Sequence, residues 1–274
     1  MADQEGGDSE DDAILIPETA TLLPSTQHCL HSINSVIFIR ELRSQGLSFQ
    51  LWPAATTLLT LLDGHHGDPN TSPLGPTLSA LDMRKRPLKI LELGSGTGLV
   101  GIAAAATLGA TVTVTDLPHV IPNLLFNVEA NASVLEANGG IVHVAALGWG
   151  EAVDVEVIGR EFDLILASDV VYHDHLYEPL LKTLRLLILG EAKENEEGRV
   201  FVMAHLRRWK KESAFFKKAR KVFEVEVLHV DPPCHGSRVG VTVFRFTAKK
   251  SGRKMLNSTH NTNEANWHST SDAK

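Results

Sequence analysis

The sequence predicts a doubly wound α/β domain with a mostly parallel sheet and an antiparallel edge. Three observations carry this. From Leu88 onward, apolar runs of strand length alternate with segments of helix length. The connections between successive runs are of helix length, as a mostly parallel sheet covered on both faces requires. The last two runs are joined by a connection too short for a parallel crossover, so they pair antiparallel.

Residues 1–13 read as a solvated acidic tail. The domain is expected over 28–248, beginning with an N-terminal extension at 28–63. There Ile33–Ile39 and Leu47–Leu51 are β-rich runs around Gly46, a hairpin or strand pair. Pro53 stands where a helix opens, and Ala54–Leu62 continues it. The stretch 64–86 reads as a loop, because Gly64–Pro76 is rich in Gly, Pro, Asn and Ser. The core follows at 87–248. Leu88–Leu93 is a buried strand, Gly98–Leu108 an alanine-rich helix, Thr111–Thr115 a strand, and Pro118–Asn131 a helix with prolines in its opening turns. Ile141–Ala145 and Phe162–Ser168 are the third and fourth strands of this series. His175–Leu189 is a helix with Leu176, Leu180, Leu184 and Leu187 on one face. Arg199–Ala204 is a strand, Arg208–Lys221 a helix, and Phe223–Val230 and Val239–Phe246 a pair joined through Asp231-Pro232-Pro233. Residues 249–274 read as a disordered polar tail.

Composition narrows the function classes. With 43% hydrophobic and 22% charged residues, the chain is neither collagenous, low-complexity nor wholly disordered. The longest nearly apolar run, Leu99–Ala106, is far short of the ~20 residues of a membrane span. The opening tail holds Asp3, Glu5, Asp8, Glu10, Asp11 and Asp12, and the remaining acids nearly balance the 26 Lys and Arg. Net charge therefore makes no case for nucleic acid. The first base is Arg40, which argues against an Arg-rich transit peptide or a charged signal region. Cys29 and Cys234 are far apart and form no C-x-x-C pair, so neither a disulfide framework nor a thiolate metal site is expected. A cytoplasmic monomer is expected, with the nucleus also open to it.

The stretch Ile90-Leu91-Glu92-Leu93-Gly94-Ser95-Gly96-Thr97-Gly98-Leu99-Val100-Gly101 carries the chemistry. A glycine-rich turn between strand and helix lets a ligand approach the backbone and the helix N-terminus. Gly96, Gly98 and Gly101 satisfy G-x-G-x-x-G, yet the glycines begin earlier, at Gly94. Glu92 would place a carboxylate where a pyrophosphate has to sit, and like charges ~4–6 Å apart repel by roughly 1 kcal/mol or more. A cationic nucleoside without phosphates, S-adenosylmethionine, suits the turn better. No G-K-[ST] follows, which excludes a P-loop. Asp116, at the end of the second core strand, is placed to accept hydrogen bonds from two ribose hydroxyls, with a helix cap before Pro118 as the alternative.

On four motifs the chain resembles the seven-β-strand (class I) methyltransferases, and within them methyltransferase family 16, which contains many protein-lysine methyltransferases. They are Leu51-Trp52-Pro53-Ala54-Ala55, Glu92-Leu93-Gly94-Ser95-Gly96-Thr97-Gly98, Leu147-Gly148-Trp149-Gly150 and Asp169-Val170-Val171-Tyr172. The similarity spans roughly residues 30 to 246; Gly148 departs from it, where members often carry Asp. The resemblance implies a seven-stranded Rossmann-like sheet with a short N-terminal β extension. It also implies that Gly94, Ser95 and Gly96 line the cofactor, that Asp116 holds the ribose, and that Trp52, Trp149 and Ser168 pack around it. Glu92, Gly98 and Leu117 complete the candidate cofactor set. An indole face over a sulfonium gains ~0.5–2 kcal/mol, with core packing as the alternative for each tryptophan.

Asp169 and Tyr172 are the candidates nearest the chemistry, at the carboxyl edge of the sheet. Methyl transfer to an amine moves positive charge from sulfur to nitrogen, and a carboxylate or phenol aimed at that nitrogen stabilises the product. Asp169 could orient the amine, or serve as a structural partner or cap. Val170 and Val171 replace the prolines of the N-P-P-Y and D-P-P-Y motifs typical of adenine- and glutamine-modifying enzymes, and the resemblance to family 16 implies a protein lysine as the acceptor. Small-molecule or nucleic-acid methyl transfer and a catalytically silent adaptor stay open. No metal is expected: His173-Asp174-His175 reads as solvated or capping. The basic strip 207–221, with Trp209, Phe215 and Phe216, could receive an acidic partner or RNA. The near-neutral body favours an amphipathic helix with solvated bases.

Overall fold

The hairpin β1 (Ser25–Leu30) and β2 (Ser35–Arg40) stands ahead of the main sheet, with Ser25 paired to Arg40 and Leu30 to Ser35. These are elements of a computed structural model that describes residues 25–82, 86–190, 198–233 and 239–249. The tails expected over 1–13 and past 249, and Cys234, lie outside the described residues. Helix α1 (Pro53–Gly67) opens on proline at its first position. It is followed by α2 (Gly75–Asp82), β3 (Lys89–Leu93), α3 (Leu99–Leu108), β4 (Thr111–Asp116), α4 (Ile121–Ala130), α5 (Ala132–Ala137) and β5 (Ile141–Ala146). Then come α6 (Ala152–Ile158), β6 (Leu164–Ser168), α7 (Tyr177–Ile188), β7 (Val200–His205), α8 (Ser213–Val222), β8 (Phe223–Val230) and β9 (Thr242–Ala248).

The main sheet has the order β5-β4-β3-β6-β7-β9-β8. Pairings from β5 through β7 are parallel, and β9 runs antiparallel between β7 and β8. The chain winds outward through β3, β4 and β5 and then crosses back to lay β6 on the other side of β3. Ligands of doubly wound sheets bind at that reversal, beyond the carboxyl ends of β3 and β6.

Strand alternation divides the core. Ile90, Val112, Leu164, Leu166 and Val202 face the cluster containing α1, α2 and α3. Leu91, Leu93, Ile165, Ala167, Phe201 and Met203 face the one containing α7 and α8. Both faces of the central strands β3, β6 and β7 are therefore covered, and these strands read as nearly continuous apolar runs.

The N-terminal extension is tied down by a polar ladder. Asn123, Asn127 and Asn131 recur every fourth residue along α4 and so share one face. Asn131 Oδ1 accepts from Phe38 N and its Nδ2 donates to Phe38 O; Asn127 makes the equivalent pair with Arg40. The free edge of β2 is satisfied by side chains instead of a strand.

Several expected elements differ. Leu47–Leu51 is not a strand: Leu47–Phe49 is a 3-10 turn after Gly46, with Phe49 buried and Leu51 N donating to Glu41 Oε2. The partner of β2 is the upstream segment Ser25–Leu30, whose polar composition hid it. The 64–86 stretch is not one loop, because α1 runs on to Gly67 and α2 buries Leu78 and Leu81 in the core. The short helices α5 and α6 fall within stretches expected to be non-helical or helix-terminal. The basic strip becomes regular helix only at Ser213; Leu206–Trp209 has no regular secondary structure and Lys210–Glu212 forms a 3-10 turn. Phe215 and Phe216 are buried and Lys217, Lys218 and Lys221 exposed, the amphipathic pattern expected of α8.

Candidate active site

A cavity of about 660 Å³ opens at the sheet reversal. Its floor is the turn after β3, its sides the segments following β4, β5, β6 and β7, and its cover the Leu47–Trp52 segment. Five stretches far apart in sequence meet there because parallel strands deliver all their carboxyl ends to one edge.

The glycine turn is shaped by what lies on it. Gly94 has φ +64, and a Cβ there would stand 2.8 Å from Trp149 Cζ2 and 3.1 Å from Val170 Cγ1. Gly96 has φ +55, and a Cβ would meet Ser48 O at 2.9 Å. Left-handed backbone and close approach both demand glycine. The Trp149 indole and the N-terminal cover thus rest directly on the turn. Ser95 Oγ accepts from Thr115 N at 3.0 Å and Ser95 N donates to Thr115 O at 2.8 Å, clamping the turn to β4.

Asp116 lies on the lining and is buried. Its Oδ2 accepts from Gly96 N at 2.8 Å and its Oδ1 from Leu117 N at 2.7 Å. Burial raises its pKa, opposed by those two N–H donors. Each oxygen retains a lone pair for a ligand hydroxyl. Leu117 is 46% exposed on the same wall. Trp52 donates from Nε1 to Leu47 O at 3.0 Å, and Arg208 stands 4.9 Å from its ring. Ser168, Trp149 and Tyr172 also line the cavity.

Two expected contacts lie elsewhere. Glu92 is 1% exposed and not on the lining; Gly98 caps α3 beneath the turn. Glu92 Oε2 accepts from Gly101 N at 3.0 Å, and burial lifts its pKa to about 8, partly offset by Ser95 and Gly101. It is predominantly neutral at pH 7 and does not repel a diphosphate. The cavity wall itself is acidic: Asp116, Glu151 and Asp169 line it, and Arg208 is the one Lys or Arg among the described lining residues. Arg208 is committed, with Nη2 donating to Asp169 Oδ2 at 2.9 Å and Nη1 to Leu206 O at 3.1 Å. A diphosphate would find no spare cation there.

Asp169 also departs from expectation. It has φ +55, and its Oδ1 accepts from Leu206 N at 2.8 Å while Oδ2 takes Arg208. His205 Nδ1 stands 3.6 Å from Oδ1, and His205 Nε2 is 3.1 Å from the buried Glu212 Oε2. Burial alone would raise the Asp169 pKa; the His205 ring beside it, the Arg208 hydrogen bond and charge, and the Leu206 N–H hold it below the usual range. The carboxylate pins the β6 and β7 loops together, with partners neither at Tyr172 nor in a helix cap.

Tyr172 is half-buried on the lining, its ring 4.8 Å from that of His173. Burial and then the charge of Asp116 raise its pKa, so the phenol stays protonated. The His173 and His175 rings stack at 5.4 Å, and no group of three or more His, Cys, Asp or Glu among the described residues is arranged to hold a metal.

The model of a lysine methyltransferase family matches residues 32–222. The chain belongs to that family. It is 28% identical over 244 residues to the protein N-lysine methyltransferase METTL21A of Danio rerio, covering 89% of this chain and 97% of that one. The EEF1A lysine methyltransferase 3 of Mus musculus is 32% identical over 200 residues, covering 73% and 72%. METTL21A of Mus musculus is 34% identical over 200 residues, covering 73% and 79%. The protein is thus a methyltransferase of the S-adenosylmethionine-dependent class.

Within this lysine methyltransferase, sequence reasoning missed Ser48, Gln50, Glu151, Arg208 and Trp209 on the cavity wall. Trp209 carried a signal, a lone large aromatic among bases, but was assigned to the helix. It is 52% exposed. The others are ordinary residue types whose place depends on how the N-terminal segment folds back.

Proposed function

We propose that the protein transfers the methyl group of S-adenosylmethionine to the ε-amine of a lysine in a protein substrate. The observation that carries this is the cavity wall: a buried carboxylate, Asp116, bonded to the glycine turn beside the Trp52 and Trp149 aromatic walls, with no uncommitted cation among the described lining residues.

The residues present fit that cofactor. Asp116 has lone pairs for the ribose hydroxyls, Trp149 and Leu117 offer flat and apolar contact, and the acidic wall favours a sulfonium. When bound, S-adenosylmethionine supplies an electrophilic methyl group. The chain's own residues orient the amine and exclude water. Ionised lysine must first lose a proton, at a cost of about 4–5 kcal/mol at pH 7. Alignment in an enclosed site returns ~7–11 kcal/mol, so no strong base is needed. Asp169 is unsuited to be one, since the Arg208 charge and the donors around it hold its pKa below the usual carboxylate range. The neutral Tyr172 hydroxyl is the group that accepts from or donates to the amine, and the proton leaves to solvent at the cavity mouth.

A protein acceptor is supported by the relatives, which are named as protein-lysine methyltransferases. Incubating cell lysate with methyl-labelled S-adenosylmethionine and the purified enzyme tests it. Label is expected in protein, recovered as methyl-lysine on hydrolysis; label confined to RNA or small molecules would overturn the assignment.

A further inference from the structure

We propose that the acceptor lysine is presented within an acidic protein segment that docks on Arg207, Lys210 and Lys211 beside the cavity mouth. This rests on the protein-lysine acceptor proposed above and names the kind of segment that carries it.

The surface is built from four facts. Arg207, Lys210 and Lys211 are exposed, and among the described residues none of them is in an ion pair. Arg43 pairs with Glu41, Lys89 with Glu161, and Lys218 with Glu178; the exposed Lys182, Lys217, Arg220 and Lys221 are in no ion pair either among the described residues, but they belong to α7 and α8 and not to the stretch that contributes Arg208 and Trp209 to the cavity lining. The stretch is held in place, because Arg208 N donates to the buried Glu212 at 3.1 Å while the Arg208 guanidinium grips Asp169. It also touches the site: Trp209 is 52% exposed yet lines the cavity, and Lys211 Nζ lies 5.9 Å from its ring.

Three unpaired cations at the entrance repel an incoming lysine. Carboxylates flanking that lysine cancel the repulsion and pair with the bases, while the Trp209 face covers the lysine stem. An acidic protein segment suits this better than RNA. The group to be aligned with the cavity is a lysine side chain, which a protein segment carries and RNA does not.

The test uses the full chain and three fluorescent probes: a peptide with one lysine flanked by Asp and Glu, its Asn and Gln counterpart, and a single-stranded RNA. The acidic peptide is expected to bind about tenfold more tightly than its amide counterpart, with an advantage that shrinks as salt rises. The Lys210→Glu, Lys211→Glu double variant should lose about that tenfold. The milder Lys210→Gln, Lys211→Gln pair should lose about threefold. Cofactor affinity by calorimetry should stay within about twofold, which shows that the variants fold. Equal binding of the two peptides, or tighter binding of RNA, would overturn the proposal. So would a large gain in acidic-peptide affinity on replacing Asp8, Glu10, Asp11 and Asp12 by their amides, since the chain's own tail would then be the occupant. Peptide discrimination without any S-adenosylmethionine uptake would overturn the proposed reaction, and with it the bound lysine's role as acceptor.

Discussion

Glu92→Gln isolates the cost of a buried carboxyl under the glycine turn. Glu92 is 1% exposed, bonded to Gly101 N through Oε2, while Oε1 is buried without a partner. Its pKa stands at about 8 in the folded chain against 4.5 for an ordinary glutamate. A raised carboxyl pKa means that the native state holds a proton the unfolded state releases. Its stabilising effect is complete below pH 4.5 and is lost as pH climbs toward 8. At about 1.4 kcal/mol per pH unit, the full loss approaches about 5 kcal/mol. Glutamine keeps the shape and the Gly101 bond but cannot ionise, so its own packing penalty is independent of pH. Urea unfolding of both proteins between pH 5 and pH 8 should show the variant gaining on the wild type by about 4 kcal/mol across that range. Contributions from Asp169, Asp116 and the histidines cancel in the difference. A difference flat to about 0.5 kcal/mol would show that Glu92 is ionised in the native state, refuting its neutrality at pH 7.

Asp116→Ala should weaken S-adenosylmethionine binding by ~10-fold or more, measured by calorimetry, because the ribose acceptor and the Gly96 and Leu117 anchors vanish together. Asp169→Ala should cost about 2–4 kcal/mol of stability in urea unfolding, since Leu206 N and the Arg208 guanidinium lose their acceptor; unchanged stability with lost turnover would return Asp169 to a substrate-facing role. Tyr172→Phe should leave cofactor affinity nearly unchanged and lower turnover by about tenfold in a labelled-methyl assay. Asn127→Ala strands Arg40 N and Thr97 O and should cost about 2–4 kcal/mol, read from the urea midpoint.

Period and punctuation reveal much of this fold. Continuous apolar runs separated by helix-length segments force a two-sided parallel sheet, and a parallel sheet places Gly94–Gly96, Asp116, Trp149 and Ser168 at one edge whatever the loops do. Position along a strand, by contrast, does not say which way a carboxylate faces. Glu92 and Asp169 carry the right chemistry in the right places, yet Glu92 turns into the core and Asp169 turns to Leu206 and Arg208.

The sequence by itself determined the doubly wound sheet, the glycine turn, the family motifs and the place of Asp116 and the tryptophans Trp52 and Trp149 near that turn, because each depends on local period or spacing. Only the tertiary structure decided that Leu47–Trp52 folds over the cavity, that Trp209 lines it, that Glu92 is buried beneath the turn, and that Asp169 is bonded to Leu206 and Arg208. The physical reason is that these outcomes depend on which long-range partner satisfies a buried polar group, and such partners are remote in the chain: Ser48 for Gly96, Asn127 for Arg40, Arg208 for Asp169.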